Sequence, residues 1–235
     1  MNLQLRGYNM TDNIESQYIL LNTYLTDEEH FDSLVSILKS DLNIDKIADR
    51  ASYILRKESR AIDIIGAGNL AEVSALLENQ SLQADEALLR DVMTHDIRRE
   101  IVKLHTPVKP LKNIIPTGEK IQLRYIEVPG FHLNEYFDWR IKTIFANVLS
   151  RDEITGFSAY HSVVSAQPGV TFFVEYDGSY EDLMKGFTSE EYNDIVEQAN
   201  RFIVGGNKNL YLRPYDRIYL AKSLSEQKVL DMAEA

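Results

Sequence analysis

The chain has 235 residues, with 25 Lys and Arg against 36 Asp and Glu, a formal charge of −11 and no cysteine. That balance argues against nucleic acid as the main partner, because phosphate neutralisation needs clustered cations; the missing thiols exclude disulfides, thiolate metal sites and a cysteine nucleophile. At 44% hydrophobic and 26% charged residues the profile is globular, with no apolar run near the ~20 residues that cross a bilayer.

The opening MNLQLRGYNMTDNIES lacks a signal-peptide core, so the cytoplasm is the expected setting and no membrane partner is expected. Thr26-Asp27-Glu28-Glu29 has the pattern of a capping box, and Phe31, Leu34, Val35, Leu38 and Leu42 follow at helical spacing. From Asp45, the positions Ile47, Ala51, Ile54, Leu55, Ile62 and Ile65 share one helical stripe that ends at Gly66. Asn69 is placed to cap a short helix carrying Val73 and Leu76, and Leu88 to Ile101 suggest another running to about His105. Thr106-Pro107-Val108-Lys109-Pro110 then stops helical structure.

Within this half, AIDIIGAGNLAEVSALLE places two glycines before a helix, as a dinucleotide-binding loop does. Such a loop also needs a following buried strand that ends in an acidic residue; Glu78, Asp85 and Glu86 lie within reach of that spacing, but the intervening NQSLQ is no buried strand. The glycines are therefore expected to form a helix C-cap and turn.

After Lys120 the texture changes. KIQLRYIEV alternates as a strand, with Ile121, Leu123 and Tyr125 on one face. Residues 131–149 read as a helix with Leu133, Phe137, Ile141, Ile144 and Val148 on its buried stripe. ITGFSAYHSVVS and VTFFVEYD, split by Ala166-Gln167-Pro168-Gly169, read as an antiparallel hairpin. Thr188-Ser189-Glu190-Glu191 opens another helix, and NLYLRPYDRIYLA supplies a last strand interrupted at Pro214. The order β-α-β-β-α-β is the ferredoxin-like split unit.

The stretches YIEVPGFHLNEYFDWR, YHSVVSAQPGVTFFVEYDG and YLRPYDRIYLA resemble the dimeric α+β barrel superfamily, which includes the antibiotic-biosynthesis-monooxygenase-like proteins. The expected fold class is α+β: a helical domain over 1–112, a ferredoxin-like domain over 117–223 and a tail over 224–235. The resemblance implies two facing sheets, hence a homodimer, and a small organic ligand between sheet and helices. It covers roughly residues 118–222.

Candidate site residues follow from chemistry. His132, Tyr136, Trp139 and Thr143 form a second stripe on the 131–149 helix, suited to packing or to lining a pocket. His161, on the strand face of Phe157 and Ala159, can accept a proton; Tyr160 points to the opposite face. Glu127, ending its strand before Pro129-Gly130, is placed as a general base. Arg140 can anchor a substrate carboxylate, whereas Arg124 and Arg213 read as solvated charges. The five histidines form no close pair of the kind that holds a metal, although His132 or His161 can supply a haem's axial ligand. The expected function is a small-molecule enzyme of secondary metabolism, an oxygenase or cyclase acting without a bound cofactor on an aromatic or polyketide-like substrate. Haem binding in the same fold, or a non-catalytic binding or accessory role, are the alternatives.

Overall fold

The computed structural model describes residues 17–40, 42–109, 115–165, 169–206 and 210–221. The elements are β1 (Tyr18–Leu25), α1 (Phe31–Lys39), β2 (Arg50–Leu55), β3 (Arg60–Ala67), α2 (Leu70–Glu78), α3 (Gln80–Arg90) and β4 (Arg98–Lys109) in the first half. The second half has β5 (Lys120–Ile126), α4 (Leu133–Arg140), a wide π-type turn (Ile141–Phe145), α5 (Ala146–Leu149), β6 (Ile154–Val164), β7 (Val170–Tyr176), α6 (Tyr180–Phe187), α7 (Glu190–Ala199) and β8 (Tyr211–Leu220). Both halves repeat one β-α-β-β-α-β order. All eight strands join in one closed antiparallel barrel, β1-β3-β2-β8-β5-β7-β6-β4.

The first half is therefore not a helical domain. Its strands are covered on both faces: Ile19, Leu21, Ile62 and Ile64 point into the barrel, whereas Leu20, Ile65 and Ala67 lie under the helices. Burial on both faces removes the alternation of a half-exposed strand and leaves apolar runs that periodicity does not separate from a helix. Hence β2 and β3 occupy the stretch read as one helix, β1 runs through YILLNTYL, and β4 occupies residues expected to finish a helix at His105. Other local readings shift. Thr26 donates its hydroxyl to the Val92 carbonyl (2.5 Å) while Asp27 accepts from the His30 amide (2.9 Å), so no capping box forms.

Gly66 lies within β3, paired with Ile19, so it caps no helix and only Gly68 follows the strand, but Asn69 does cap α2, accepting from the Glu72 amide at 3.0 Å. The Glu72 carboxylate accepts from the Gly68 amide at 2.7 Å. The anion position at this helix start is thus filled by the protein's own carboxylate.

In the second half, strands β5 to β8 and both expected helical regions form, and α6 is added. The turn residues 166–168 and the tail 224–235 lie outside the described residues. Strand β8 runs through Pro214, which pairs with Gln122 of β5, while pairing with β2 starts at Asp216. The proline's missing donor therefore falls where β8 has only one neighbour. Barrel closure pairs β2 with β8 and β4 with β6. The apolar sheet face expected to need a second subunit is covered by the chain's own first half, with Tyr53, Tyr160, Phe173 and Tyr215 packed in the barrel. No helix among the described residues is long and apolar enough to cross a membrane.

Under the first half's helices lies a paired polar network. Arg50, fully buried, donates from Nε to Asp63 (3.0 Å), from Nη1 to Asp45 (3.2 Å) and from Nη2 to the Leu38 carbonyl (2.9 Å). Tyr24 also donates to Asp63, and Arg99 bridges Asn22 and Glu86. Removing one partner of a buried pair strands the other charge, at about 3–5 kcal/mol. Asp63→Leu is therefore expected to lower unfolding free energy by about that amount. An unchanged urea midpoint would show that Arg50 is not held by this carboxylate.

Candidate functional site

The two sheet faces under helices differ in chemistry. In the second half, β5, β6 and β7 present Ile126, Phe157, Ala159, Phe172 and Val174 to α4 through α7. Between sheet and helices lies a cavity of about 40 Å³, walled by Tyr136, Phe157, Phe172, Tyr192 and Ile195, with Arg124 in its lining. That volume admits a few water-sized groups. Arg124, expected on a solvated surface, is only 3% exposed. Its Nη1 donates to the Tyr192 hydroxyl at 3.0 Å, its guanidinium carbon lies 3.7 Å from the Phe187 ring centre, and its Nε makes no hydrogen bond. Among the described residues no carboxylate pairs with it.

Helix α4 presents a different face from the expected one. Tyr136, Trp139, Arg140, Ile144 and Val148 are buried, whereas Ile141 is 40% exposed. The wide turn at Ile141–Phe145 is the reason. An i→i+5 turn holds about one residue more than an α-turn, so Tyr136, Arg140, Ile144 and Val148 line up at spacings of four. The stripes read at 100° per residue do not continue across it.

Arg140 emerges from this face fully buried. Its Nη1 donates to His161 Nε2 (3.2 Å), and its Nη2 to His105 Nδ1 (2.9 Å) and to the Thr106 hydroxyl (3.3 Å). The two imidazoles stack with centres 4.3 Å apart and planes 17° from parallel. Phe137 flanks both, at 4.4 and 4.8 Å. His105 was not a sequence candidate. The pairing of β4 with β6 shifts between Leu104 and Thr106, leaving His105 as an extra residue. Such a bulge re-aims side chains, and here His105 and Thr106, though successive, both reach Arg140. A histidine and a threonine beside a proline were the only signal in the sequence.

Burial, and then the neighbouring guanidinium, push both imidazoles well below the usual 6.5, His105 to about 4 and His161 to about 3. Both rings are therefore neutral near pH 7. Because Arg140 can only donate, His105 Nδ1 and His161 Nε2 accept, which fixes the protons on His105 Nε2 and His161 Nδ1. Burial lowers Arg140 itself from its ordinary value.

The remaining candidates lie elsewhere. Trp139 packs between α4 and α7, 5.3 Å from Phe202, donating to Gln198 at 3.3 Å. His132 sits at the start of α4 against Phe131 and Phe202. Glu127 follows β5 and acts on Tyr125, raising that phenol to about 12 together with burial, the larger cause. It makes no hydrogen bond or ion pair with the Arg140 cluster. Arg213 pairs with Glu58 at 3.1 Å.

Haem does not fit this arrangement. The cavity has no histidine in its lining to serve as an axial ligand. The Nε2 of His161 is occupied by Arg140, and His132 lies against Phe131 and Phe202 at the helix start. No group of three His, Asp or Glu suited to a metal occurs among the described residues.

No family model matches the chain, and no curated protein does. Solved structures do. An anthrone oxidase-like protein superimposes with a TM-score of 0.67 at 11% identity, covering 90% of this chain and 95% of that one. A Fusobacterium nucleatum protein described provisionally as a monooxygenase gives 0.65 at 10% identity, covering 90% and 96%. A mutant chlorite dismutase from Candidatus Nitrospira defluvii gives 0.58 at 14% identity, covering 86% and 92%. The fold is thus that of the α+β barrel proteins along nearly the whole chain, not only in the second half.

Nitrogen-resolved NMR of the imidazoles checks the site's electrostatics. Both rings should stay neutral down to pH 5, as the Nε2–H form for His105 and the Nδ1–H form for His161. A folded-state pKa below the free value means the folded state binds fewer protons, so these rings cost the fold nothing above about 6.5. Stability should fall as pH drops from 6.5 toward about 4 and 3. Either ring titrating near 6.5 would show that Arg140 does not hold it.

Proposed function

We propose that the protein is a small-molecule enzyme of the oxygenase or cyclase kind, acting on an aromatic, polyketide-like substrate between the second half's sheet and helices. The observation that carries this reading is Arg124: a buried guanidinium without a carboxylate, at the wall of an apolar cavity, beside the phenols of Tyr192 and Tyr136. A fixed positive charge in an apolar space favours a substrate that brings a phenolate or enolate oxygen. The rings of Phe157, Phe172 and Tyr136 suit an aromatic body. As packed, the cavity takes only a few water-sized groups, so binding a substrate of this class requires the cavity to widen.

The chemistry follows from stabilising that oxygen. Arg124 and the Tyr192 hydroxyl hold the negative charge and thereby favour the delocalised carbanion over the neutral substrate, whose C–H proton passes to water. In an oxygenation, the carbanion's electron pair forms a carbon–oxygen bond to molecular oxygen. Dioxygen is reduced to the peroxide level, and a proton from solvent completes the hydroperoxide. In a cyclisation the same electron pair attacks a carbonyl carbon within the substrate, the carbonyl π pair moves onto its oxygen, and that oxygen takes a proton from solvent. The anthrone oxidase-like neighbour lends this substrate class its support. His161 and Glu127, expected as catalysts, lie outside the cavity's lining; Tyr136 belongs to it.

A second reading, ligand binding without chemistry, is favoured by the lack of any carboxylate or imidazole in that lining. An anthrone with phenolic hydroxyls distinguishes the two. Oxygen uptake with product formation is expected for the wild type, and Arg124→Met should lower kcat/KM about 100-fold, the scale of one lost electrostatic contact to a developing oxyanion. Saturable Trp139 fluorescence quenching without turnover selects the binding reading. Neither quenching nor turnover, or an unaffected Arg124→Met, overturns the proposal.

A further inference from the structure

Arg140 lies outside the cavity's lining, 5.4 Å from the Tyr136 ring, in a cleft built by both halves of the chain. His105 and Thr106 come from β4 of the first half, whereas Arg140 and His161 come from α4 and β6 of the second. Three properties of this cleft converge on a ligand. The guanidinium is fully buried, yet among the described residues no carboxylate forms an ion pair with it and none acts on either imidazole. Arg50, a buried guanidinium of the first half, has acidic partners in Asp45 and Asp63, whereas Arg140, like Arg124, has none among the described residues. The cleft is also reachable, since His105 is exposed and His161 half-buried. Finally, Arg140 occupies the lone pair of each ring, so the second nitrogen of each ring must carry a hydrogen. Neither His105 Nε2 nor His161 Nδ1 makes a hydrogen bond among the described residues.

We infer that this cleft binds the carboxylate of a small apolar or aromatic acid, received by the Nε2–H of His105 and the Nδ1–H of His161 above the Arg140 charge. Two neutral donors over one cation suit a group with one negative charge and two acceptor oxygens. A doubly charged phosphate asks for more positive charge than the cleft holds. The neighbouring cation, Lys103, faces His161 across the β4–β6 pair but lies on the Tyr18 ring at 5.6 Å. Phe137, beside both imidazoles, gives the acid's apolar body a surface to lie on. Ligand and rings reinforce one another, because an anion on the outer N–H groups keeps the tautomers that accept from Arg140.

The test is an NMR titration of the full chain, followed at the imidazole nitrogens and their hydrogens, with sodium benzoate, acetate and phosphate at matched ionic strength. Benzoate should give saturable shifts at His105 Nε2 and His161 Nδ1, acetate weaker saturable ones, and phosphate only a linear drift. His105→Leu changes an exposed position, so the fold should persist while benzoate affinity drops about tenfold, the loss of one charge-assisted hydrogen bond. Arg140→Lys should weaken benzoate at least as much; if that variant does not fold, His105→Leu and His161→Leu carry the test. Absence of saturation with benzoate, or wild-type affinity in His105→Leu, overturns the site. Saturation by phosphate in preference to benzoate overturns the ligand class. Arg124→Met removes the cavity's cation and should leave this titration unmoved, so failure of the cavity reading and failure of this one are separately visible.

Discussion

A guanidinium taken out of water must find compensation, and the structure meets this demand in two ways. In the first half, Arg50 lies under the helices with Asp45, Asp63 and the Leu38 carbonyl around it, and Arg99 is joined to Glu86 and Asn22. Those charges are neutralised within the protein. In the second half, Arg124 and Arg140 are met by phenols, imidazoles and ring faces. Such neighbours solvate a cation without cancelling its charge. The same fold, built twice in one chain, thus closes Arg50 and Arg99 in its first half and leaves Arg124 and Arg140 of its second half without a carboxylate among the described residues, whereas Arg151 of that half pairs with Glu153. Desolvation costs several kcal/mol per ion, so uncompensated cations are retained at a cost to stability.

Closure of the barrel decides where these charges can meet a ligand. The strand pairs β2–β8 and β4–β6 join the halves and leave no free sheet edge. The barrel interior is packed with Tyr53, Tyr160, Phe173 and Tyr215. Ligand chemistry is consequently confined to the outer sheet faces under helices. The β4–β6 seam adds a place that neither half has alone, where His105 of one half stacks on His161 of the other.

Much of the second half was legible in the sequence because its signals agree: turn residues, capping serines and helical spacing point to the same elements. His161 was correctly set on the face of Phe157 and Ala159, with Tyr160 opposite in the barrel. The first half was not legible, because β2 and β3 are buried on both faces; RASYIL and RAIDIIGA carry neither a clean alternation nor exposed polar residues, and Arg50 and Asp63 pair with each other out of water. Ile54, Leu55, Ile62 and Ile65 then fall on a helical stripe by coincidence of spacing. Arg124 was misplaced for a related reason. A charged residue in sequence reads as solvated, and only the tertiary packing of Phe187 and Tyr192 shows that this one is not.

The features that create the site are irregularities that periodic reading averages away. The wide turn at Ile141–Phe145 rotates the helix so that Tyr136, Trp139 and Arg140 face inward, where a regular helix continued from Ile144 and Val148 would have turned Phe137 and Ile141 in. The bulge at His105 delivers two successive side chains to one face of β4, where a regular strand delivers one. Each device disrupts a hydrogen-bond ladder locally, and each contributes one side of the same contact: the turn supplies the guanidinium, the bulge supplies the imidazole and hydroxyl it donates to. Without the turn, Arg140 would sit at the rim of the sheet. Without the bulge, it would lose His105 or Thr106 as an acceptor. The two irregularities thus meet at one contact on the β4–β6 seam, where the two halves of the chain join.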